Sequence, residues 1–239
     1  MTHNLSSIPK GFNPPITEPA YLMRKRLLKT LLKYIPQLSG SIMDFGCGSK
    51  PYRSLFDVKE YIGLDFHGQG HSHENELIDV YYDGVSIPFD DSRFDGIFSS
   101  EVFEHVFNLE HILVELNRVL KHGGKLLITC PFAICEHEVP NDFARYTSYG
   151  LKDLLQRNGF EIITFEKAGT AVESMSQIFI SYFYSNILRK TLGKIPVVRT
   201  AAKIFFIPIL NILCIIFNAI LPRSNDLYMN NVVLAIKNN

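Results

Sequence analysis

The chain has 239 residues, enough for one large α/β domain or two small ones with a buried core. Its 24 basic and 24 acidic side chains balance, which argues against a nucleic-acid-binding protein, because such proteins carry a basic surface. The four cysteines show neither a CxxC pair nor a zinc-ligand spacing, so the sequence excludes a disulfide scaffold and fits a reducing cytoplasm.

The N-terminal segment, residues 1–38, has two parts. About twenty residues punctuated by prolines come first, without the basic and then apolar stretches of a secretory signal, so we expect an extended arm. An amphipathic helix with a basic outer face is predicted next, because leucines recur at helical spacing between lysines and arginines. The predicted apolar stripe consists of Leu27, Leu28, Leu31, Leu32 and Ile35.

Short apolar runs then alternate with helical or turn-rich stretches up to about residue 166. The runs are SIMDF, YIGLDF, FDGIFSS, KLLITCPF and FEIITFEK. Their separations suit the crossover connections of parallel strands. One connecting helix lies in EHILVELNRVLKHGG, and we expect it to end at Gly123 and Gly124. The pattern predicts an α/β fold with a mostly parallel sheet.

The first strand leads into the turn DFGCGSKPY. Gly46 and Gly48 match the start of a dinucleotide-binding GxGxxG, but Pro51 occupies the position of the third glycine. No GK[ST] follows, which excludes a Walker loop. Asp44 ends the first strand, and Asp65, 21 residues later, ends the next, where a carboxylate can accept both ribose hydroxyls. The turn therefore indicates a nucleoside cofactor held without a diphosphate anchor.

Four stretches in order, DFGCGSKPY, YIGLD, DGVSIPFDDSRFDGIFSSEVFEHV and RVLKHGGKLLITCPF, resemble the class I S-adenosylmethionine-dependent methyltransferases. The resemblance is to the bacterial, methyltransferase type 11-like group with a DxGCGxKPY turn, and it covers residues 40–166 and the end of the chain after residue 230. It implies a Rossmann-like, seven-stranded, mostly parallel sheet whose last strand, in YMNNVVLAIK, is antiparallel. It also implies S-adenosylmethionine as the cofactor.

The resemblance assigns a cofactor-binding role to eight residues. Asp44, Gly46 and Gly48 would line the methionine end of the cofactor. Asp65 would hold the ribose, and Phe66 would pack against the adenine. Asp83, with Gly84 beside it, would accept from the adenine amino group, and Glu101 would lie near the ammonium or sulfonium. Lys50 departs from the third glycine of many relatives, and either approaches the carboxylate end or points to solvent.

Structural alternatives accompany these assignments. Asp44 and Asp65 could cap the turns after their strands, and Asp83 could belong to a solvated acidic loop. His105 is interpreted as a structural, hydrogen-bonding histidine, and Cys47 as a packing residue.

The candidate catalytic segment is HEVPNDFARYT, residues 137–147, which follows KLLITCPF and so falls at the carboxyl edge of the sheet. We interpret His137 as the base or acceptor-orienting residue, with Asp142 and Arg145 shaping the pocket. The alternative is a capped loop held by an ion pair between Asp142 and Arg145. The sequence leaves both interpretations open.

A hydrophobic insertion, residues 170–223, separates the two parts of the predicted cofactor domain, residues 39–169 and 224–239. Its stretch 204–221 is nearly all apolar and reaches the lower limit for a bilayer span, about 17 residues. Two crossings would place the basic residues of the connection on the far side, against the positive-inside rule. The sequence therefore favours insertion into the inner-leaflet interface, with the basic helix near Arg24 joining it, and a lid or homodimer interface is the alternative.

These features predict a methyltransferase that is cytoplasmic and peripheral on the inner face of the cytoplasmic membrane. The expected acceptor is a hydroxyl of a lipid-linked sugar or another apolar molecule, followed by a quinone or isoprenoid lipid. A non-catalytic docking protein that binds S-adenosylmethionine is a further alternative. We expect no nucleic-acid partner and no metal, and interpret His67, His71 and His73 as part of a solvated loop.

Overall fold

The computed structural model of the chain describes residues 5–66, 77–191 and 195–238. Within these residues, seven strands form one sheet. Their bounds are β1 Ser41–Phe45, β2 Glu60–Phe66, β3 Val80–Tyr82, β4 Phe94–Ser100, β5 Leu120–Pro131, β6 Phe160–Ala168 and β7 Asn230–Lys237. The helices are α1 Tyr21–Tyr34, α2 Leu109–Val119, α3 Ser148–Arg157, α4 Ala171–Tyr182 and α5 Pro196–Ile220.

The strand order is β3-β2-β1-β4-β5-β7-β6. β1 pairs in parallel with both β2 and β4, so the order reverses beside β1, and a ligand crevice forms outside the carboxyl ends of the strands at such a point. β7 is antiparallel to both β5 and β6 and lies between them. The predicted mostly parallel sheet with an antiparallel last strand is confirmed.

The central strands are buried on both faces, because helices cover the two sides of the sheet. Every residue of β1 is buried, and so are Val232, Val233, Leu234 and Ala235 of β7, whereas Ile236 is half-buried near the strand end. α2 and α3 cover one face with residues such as Leu113 and Leu151, and α1 covers the other with the predicted stripe. Leu32 differs from the rest of that stripe and is partly buried.

Two elements differ from the sequence-based prediction. α2 ends at Val119, four residues before Gly123, because Leu120 already pairs with Phe94 as the first residue of β5. The register then shifts between Phe94 and Gly96, and Gly123 takes a φ of +71° in that irregularity. The short strand β3 was missed, since three residues give no period-two pattern.

The insertion folds as a helical hairpin of α4, a π-helical turn and α5. Thr170 and Glu173 begin α4 with a capping box, in which each side chain accepts from the other's backbone N–H. Leu22 of α1 packs with Ile180 of α4 and Ile207 of α5 in a separate apolar cluster.

Polar contacts tie this hairpin to the N-terminal segment. Arg26 of α1 pairs with Glu173, and Lys203 pairs with Glu18 at 2.6 Å. Asn211, fully buried in α5, donates to the carbonyl oxygen of Ile16 at 2.8 Å. The arm and α1 therefore attach the hairpin to the sheet.

Candidate active site

A buried carboxylate lies near the carboxyl end of β1, just before the two-glycine turn. Asp44 is 3% exposed, and the Tyr61 hydroxyl donates a 2.6 Å hydrogen bond to its Oδ2. The donor is the side chain of a β2 residue, whereas a carboxylate that caps the turn would accept from a backbone N–H of the turn. Burial raises the pKa of Asp44 to about 7, because a carboxylate in a dry site loses its hydration. A cation placed beside Asp44 would therefore favour its ionised form.

Both glycines of the turn have left-handed backbone, with φ of +71° at Gly46 and +45° at Gly48. A Cβ added to Gly46 would lie 2.5 Å from Cγ1 of Val102, so the fold itself requires glycine there. The N–H of Gly48 donates to Oδ2 of Asp65 at 2.7 Å. The sequence-based interpretation attributed both glycines to contact with the cofactor. The structure adds that Val102 leaves no room for a side chain at position 46.

Lys50 lies across β2 and does not point to solvent. Its side chain is 10% exposed and its ammonium pairs with Asp79. A Cβ added to Gly63 would overlap Lys50 and would lie 2.6 Å from Sγ of Cys47. The solvent-pointing alternative for Lys50 is therefore wrong, and Cys47 is buried in this packing, as predicted.

Asp65 and Phe66 end β2 beside the turn. Oδ1 of Asp65 accepts from the N–H of Phe66 at 2.7 Å, while Oδ2 accepts from the turn. The Phe66 ring is 46% exposed and packs edge-on against Tyr82, with ring centroids 5.9 Å apart. Gly84, with φ of +84°, lies so close that an added Cβ would be 2.8 Å from Cε2 of Phe66. An exposed aromatic face beside a carboxylate suits a nucleoside, with the ring against the base and the acid at the ribose.

Asp83 caps the turn after β3. Its Oδ1 accepts from the N–H groups of Val85 and Ser86, both at 2.8 Å. These hydrogen bonds lower the pKa of Asp83, because they stabilise the carboxylate. Oδ1 thus stabilises the loop, as the structural alternative predicts. The predicted contact with the adenine amino group would be made by Oδ2.

Glu101 follows β4 directly, with φ of +58°. Its Oε1 accepts from the Thr129 hydroxyl at 2.8 Å and its Oε2 from the Asn230 amide at 2.7 Å. Burial raises the pKa of Glu101, and these hydrogen bonds act against that shift. Residues of β5 and β7 therefore fix this carboxylate just past the end of β4. Asn230 lies 129 residues away in the chain, so no local sequence signal could have identified it.

The loop after β5 brings the three predicted catalytic residues together. Asp142 accepts from the backbone N–H of His137 at 2.9 Å and from both terminal nitrogens of Arg145 at 2.5 and 2.6 Å. The hydrogen bonds from Arg145 lower the pKa of Asp142 to about 2. Arg145 Nη2 also lies 3.3 Å from Nδ1 of His137. The ion pair of the structural alternative is present, and it holds the loop that carries His137.

The other side of His137 meets a 3₁₀ turn that follows β4, Phe103–His105. Oε1 of the fully buried Glu104 lies 3.8 Å from Nε2 of His137 and 3.6 Å from Nε2 of His105. His105 Nδ1 donates to the carbonyl oxygen of Asn141 at 2.7 Å, the structural role expected for this histidine.

Glu104 is the site residue that the sequence analysis missed. Burial raises its pKa well above the usual value for a glutamate, because the charged form loses its hydration. The available signal was the Glu104 and His105 pair just past a strand end, together with His137 past the neighbouring strand. His67, His71 and His73, the histidines first considered for a metal, lie outside the described residues.

The two halves of the site are adjacent. Val102 packs over Gly46 of the β1 turn. The residues on either side of Val102 are Glu101 and the turn that carries Glu104. A cofactor in the β1 turn would therefore present its reactive end to this acid and histidine cluster.

A cleft of about 220 Å³ opens between the loop after β5 and the helical hairpin. Its lining is mainly apolar and includes Ala133, Ile134, Cys135, Met23, Ile178 and Tyr184. Cys135 belongs to the loop after β5 and precedes His137 by two residues, so the cleft borders the predicted catalytic loop.

The residues present fit S-adenosylmethionine. Asp44 offers a buried carboxylate for a cationic amino acid arm, Asp65 offers acceptors for ribose hydroxyls, and Phe66 offers an exposed ring for adenine. No lysine or glycine-rich phosphate cradle is required by such a ligand, which agrees with the missing third glycine of the turn.

Comparison with known proteins agrees with this geometry. Residues 43–128 match the family model described as a methyltransferase domain. A sarcosine/dimethylglycine N-methyltransferase of Halorhodospira halochloris is 32% identical over 111 residues, which cover 41% of this chain and 38% of that enzyme. The chain thus spans well under two thirds of that relative's length.

Solved structures share the fold at low identity. Phosphoethanolamine N-methyltransferase 2 of Haemonchus contortus, in complex with S-adenosylmethionine, superposes with a TM-score of 0.54 at 15% identity, covering 99% of this chain and 61% of that one. The [4+2]-cyclase SpnF gives a TM-score of 0.54 at 18% identity, covering 91% and 83%. The family match thus identifies a methyltransferase domain at residues 43–128, and the solved structures share the fold of nearly the whole chain.

Proposed function

We propose that this chain transfers the methyl group of S-adenosylmethionine to an oxygen of an apolar or lipid-linked acceptor at a membrane surface. The cofactor would supply an activated methyl group on a sulfonium, so the protein mainly has to align the acceptor and exclude water. The observation that carries the membrane part is the exposed apolar face of α5, which packs against α4, the helix whose Ile178 lines the cleft.

Within the described residues, α5 is the one helix long and apolar enough to cross a bilayer, by length and composition. Only 17% of its most apolar stretch is buried in the protein. The buried stripe is narrow and consists of Ile207, Asn211 and Cys214. Large apolar side chains occupy the outer face, including Phe205, Ile212, Ile216 and Ile220. A water-exposed face of this size is unfavourable and favours an apolar surrounding.

The contacts of α5 favour a helix lying in the interface over one that spans the bilayer. Asn211 donates to the N-terminal arm, and Lys203 pairs with Glu18. A spanning helix surrounded by lipid would have to give up these polar contacts, which is costly in hydrocarbon. A helix at the interface can keep them and bury its outer face.

Basic residues near the hairpin tip suit anionic head groups. Arg189 and Lys190 end the π-helical turn, and Arg199 lies in the first turns of α5. Each cation close to an anionic membrane contributes about 1 kcal/mol to binding. Lys194, also predicted to contribute, lies outside the described residues.

We leave the basic residues of α1 out of this surface, although the sequence suggested that they could join it, because three of them have partners within the protein. Arg26 is paired with Glu173, Lys33 is paired with Glu166, and Arg24 stacks over the Phe12 ring. These partners hold α1 against the protein, so the membrane surface proposed here is limited to the hairpin.

The acceptor reaction requires an oxygen nucleophile beside the cofactor. His137 would take or orient the acceptor proton, and Asp142 and Arg145 hold the loop that carries it. Burial lowers the pKa of His137, which favours the neutral imidazole that a base needs. The acceptor's apolar portion would occupy the cleft between this loop and the hairpin, which favours a lipid-linked sugar or an isoprenoid-type molecule.

Flotation with anionic liposomes tests the membrane part. We expect the wild type to float and the double variant Phe205→Glu, Ile216→Glu to remain in the dense fraction. Each exposed side chain contributes about 1 kcal/mol when buried in lipid, so the double variant should lose at least thirtyfold in partitioning. Val114→Glu is the matched control, because Val114 is an exposed apolar residue of α2, outside the hairpin. A soluble, monodisperse dimer that does not float would instead support the dimer interface.

Transfer of labelled methyl groups to lipid extracts tests the reaction. We expect labelled product in the lipid fraction from the wild type and none from Asp65→Ala. The [4+2]-cyclase among the structural neighbours shows that the fold alone does not establish methyl transfer. Tight cofactor binding without transfer to any lipid or sugar extract would favour the docking protein.

A further inference from the structure

Glu104 is an unusual residue within this fold. It is fully buried, and neither of its carboxyl oxygens has a hydrogen-bond partner among the described residues. A buried carboxyl without partners is costly whether it is ionised or protonated, because even the neutral acid has a donor and acceptors to satisfy. Native proteins keep such groups where an ion, a ligand or a function requires them.

Two imidazoles face the same carboxyl. Nε2 of His105 lies 3.6 Å from Oε1 of Glu104, and Nε2 of His137 lies 3.8 Å from the same oxygen. One ligand atom from each of the three residues lies within 4.8 Å of the others. Ligands at about 2.1 Å from a tetrahedral metal ion are separated by about 3.4 Å, so the cluster needs only a small contraction to surround one ion.

The outer contacts of the histidines suit metal ligands. His105 Nδ1 faces the carbonyl oxygen of Asn141, and a carbonyl only accepts, so Nδ1 carries the proton and Nε2 keeps its lone pair for the cluster. His137 Nδ1 lies 3.4 Å from Oδ2 of Asp142 and 3.3 Å from Nη2 of Arg145. In the metal-bound form Nδ1 would donate to Asp142 and would not accept from Arg145, whose nitrogens already donate to that carboxylate. Metal-bound histidines commonly rest on a carbonyl or a carboxylate in this way.

We propose that Glu104, His105 and His137 bind one divalent transition metal ion, such as Mn²⁺, Fe²⁺, Co²⁺ or Zn²⁺. Two imidazoles and one carboxylate favour these ions over Mg²⁺ and Ca²⁺, which prefer oxygen ligands throughout. Oε2 of Glu138 lies 3.4 Å from Nε2 of His105 and could add a carboxylate from the solvent side. Sequence spacing did not reveal the site, because His137 comes from a different loop.

The position of the ion suggests its use, which rests on the proposed function. Glu104 and His105 follow Glu101 and Val102 just after β4, and Val102 packs over Gly46 of the β1 turn, where the reactive end of the cofactor is expected. Three protein ligands leave coordination positions open, as in catalytic metal sites. An acceptor oxygen in such a position would be oriented toward the methyl group. Of the two roles proposed for His137, the ion would leave the acceptor-orienting role, exerted by holding the ion, and would replace the role of base.

Metal titration of the purified full chain, after chelator treatment and dialysis, tests the proposal without any acceptor. We expect one Mn²⁺ per chain by electron paramagnetic resonance, displaced by Zn²⁺ and not by an equal concentration of Mg²⁺. Glu104→Gln and His105→Ala should each weaken Mn²⁺ binding by at least a hundredfold. His122→Ala is the matched control, because His122 is an exposed histidine outside the cluster, and it should bind as the wild type does.

Glu104→Gln also separates loss of metal from loss of folding. It removes a buried carboxyl that lacks partners, so the metal-free variant should unfold at the same temperature as the metal-free wild type or higher, and should still bind S-adenosylmethionine. Absence of Mn²⁺ binding in the wild type, or unchanged binding in Glu104→Gln, would overturn the metal site. Full methyl transfer in the presence of a chelator would leave the proposed function intact and remove the ion from it.

Discussion

Replacing Asp44 with asparagine tests whether this buried carboxyl meets the cationic end of the cofactor. Burial raises the pKa of Asp44 to about 7 in the unliganded protein, and a bound ammonium would lower that pKa by stabilising the ionised form. Cofactor binding then releases a proton below pH 7, so affinity must rise as the pH rises toward 7. Asparagine has no proton to release, so the variant should lose this dependence.

The size of the effect follows from the pKa. If the bound value lies two or more units lower, the affinity increases about tenfold between pH 5.5 and 7.0, or about 1.4 kcal/mol. The cofactor's own amino group stays protonated over this range, since such groups titrate near ~7.8. Isothermal titration calorimetry at four pH values, in buffers of different ionisation enthalpy, measures both the affinity and the released proton.

Either of two results would refute the reasoning: a wild-type affinity that is constant over this range, or an equal rise in Asp44→Asn. Stability provides an independent check. A raised pKa means that the native state holds its proton more tightly than the unfolded chain, where aspartate titrates near ~3.9. The unliganded wild type should therefore lose stability as the pH rises from 4 through 7, and Asp44→Asn should lose less.

Three further predictions concern single positions. Gly46→Ala should destabilise the unliganded protein by about 2–4 kcal/mol in urea unfolding, because alanine disfavours the left-handed φ and its Cβ overlaps Val102. Adding Val102→Ala should recover part of this loss. An unchanged unfolding midpoint in Gly46→Ala would contradict the prediction. Asp65→Ala should weaken the binding of S-adenosylmethionine at least a hundredfold in calorimetry, because two hydrogen bonds to a charged group are lost. NAD is the non-binding control. Retained affinity would show that Asp65 does not hold the ribose. Cys135 is exposed and should react with a maleimide in the native protein. Cys130 is buried, which raises the pKa of its thiol, so it should react only after unfolding. Mass spectrometry that shows both cysteines modified under native conditions would contradict the structure.

Much of the sheet could be predicted from local sequence, because strands buried on both faces read as continuous apolar runs. SIMDF and VVLA are such runs, and both are fully buried. The ends of elements were less predictable. α2 stops at Val119 because its next residue is needed for pairing with β4, and pairing partners are not visible in a local pattern.

The residues proposed to bind the cofactor could also be picked out from sequence, because they sit in fixed positions relative to strand ends. Asp44 and Asp65 are each the last residue but one of a parallel strand, and topology brings such ends together. Their partners were not accessible. Tyr61 supports Asp44 from β2, and Asn230 supports Glu101 from the last strand, contacts that depend on side-chain packing across the sheet.

The sequence by itself determined the fold class, the two-glycine turn after β1 and the presence of an apolar insertion, because these depend on periodicity and on residues near one another in the chain. Only the tertiary structure decided that Glu104 and His105 meet His137, and that α5 keeps a narrow stripe against the arm while exposing the rest. Both outcomes come from contacts between distant segments, which no local pattern contains. The chemistry of His137 depends on the residue that the fold brings opposite it, which is Glu104, a buried carboxyl that follows a different strand.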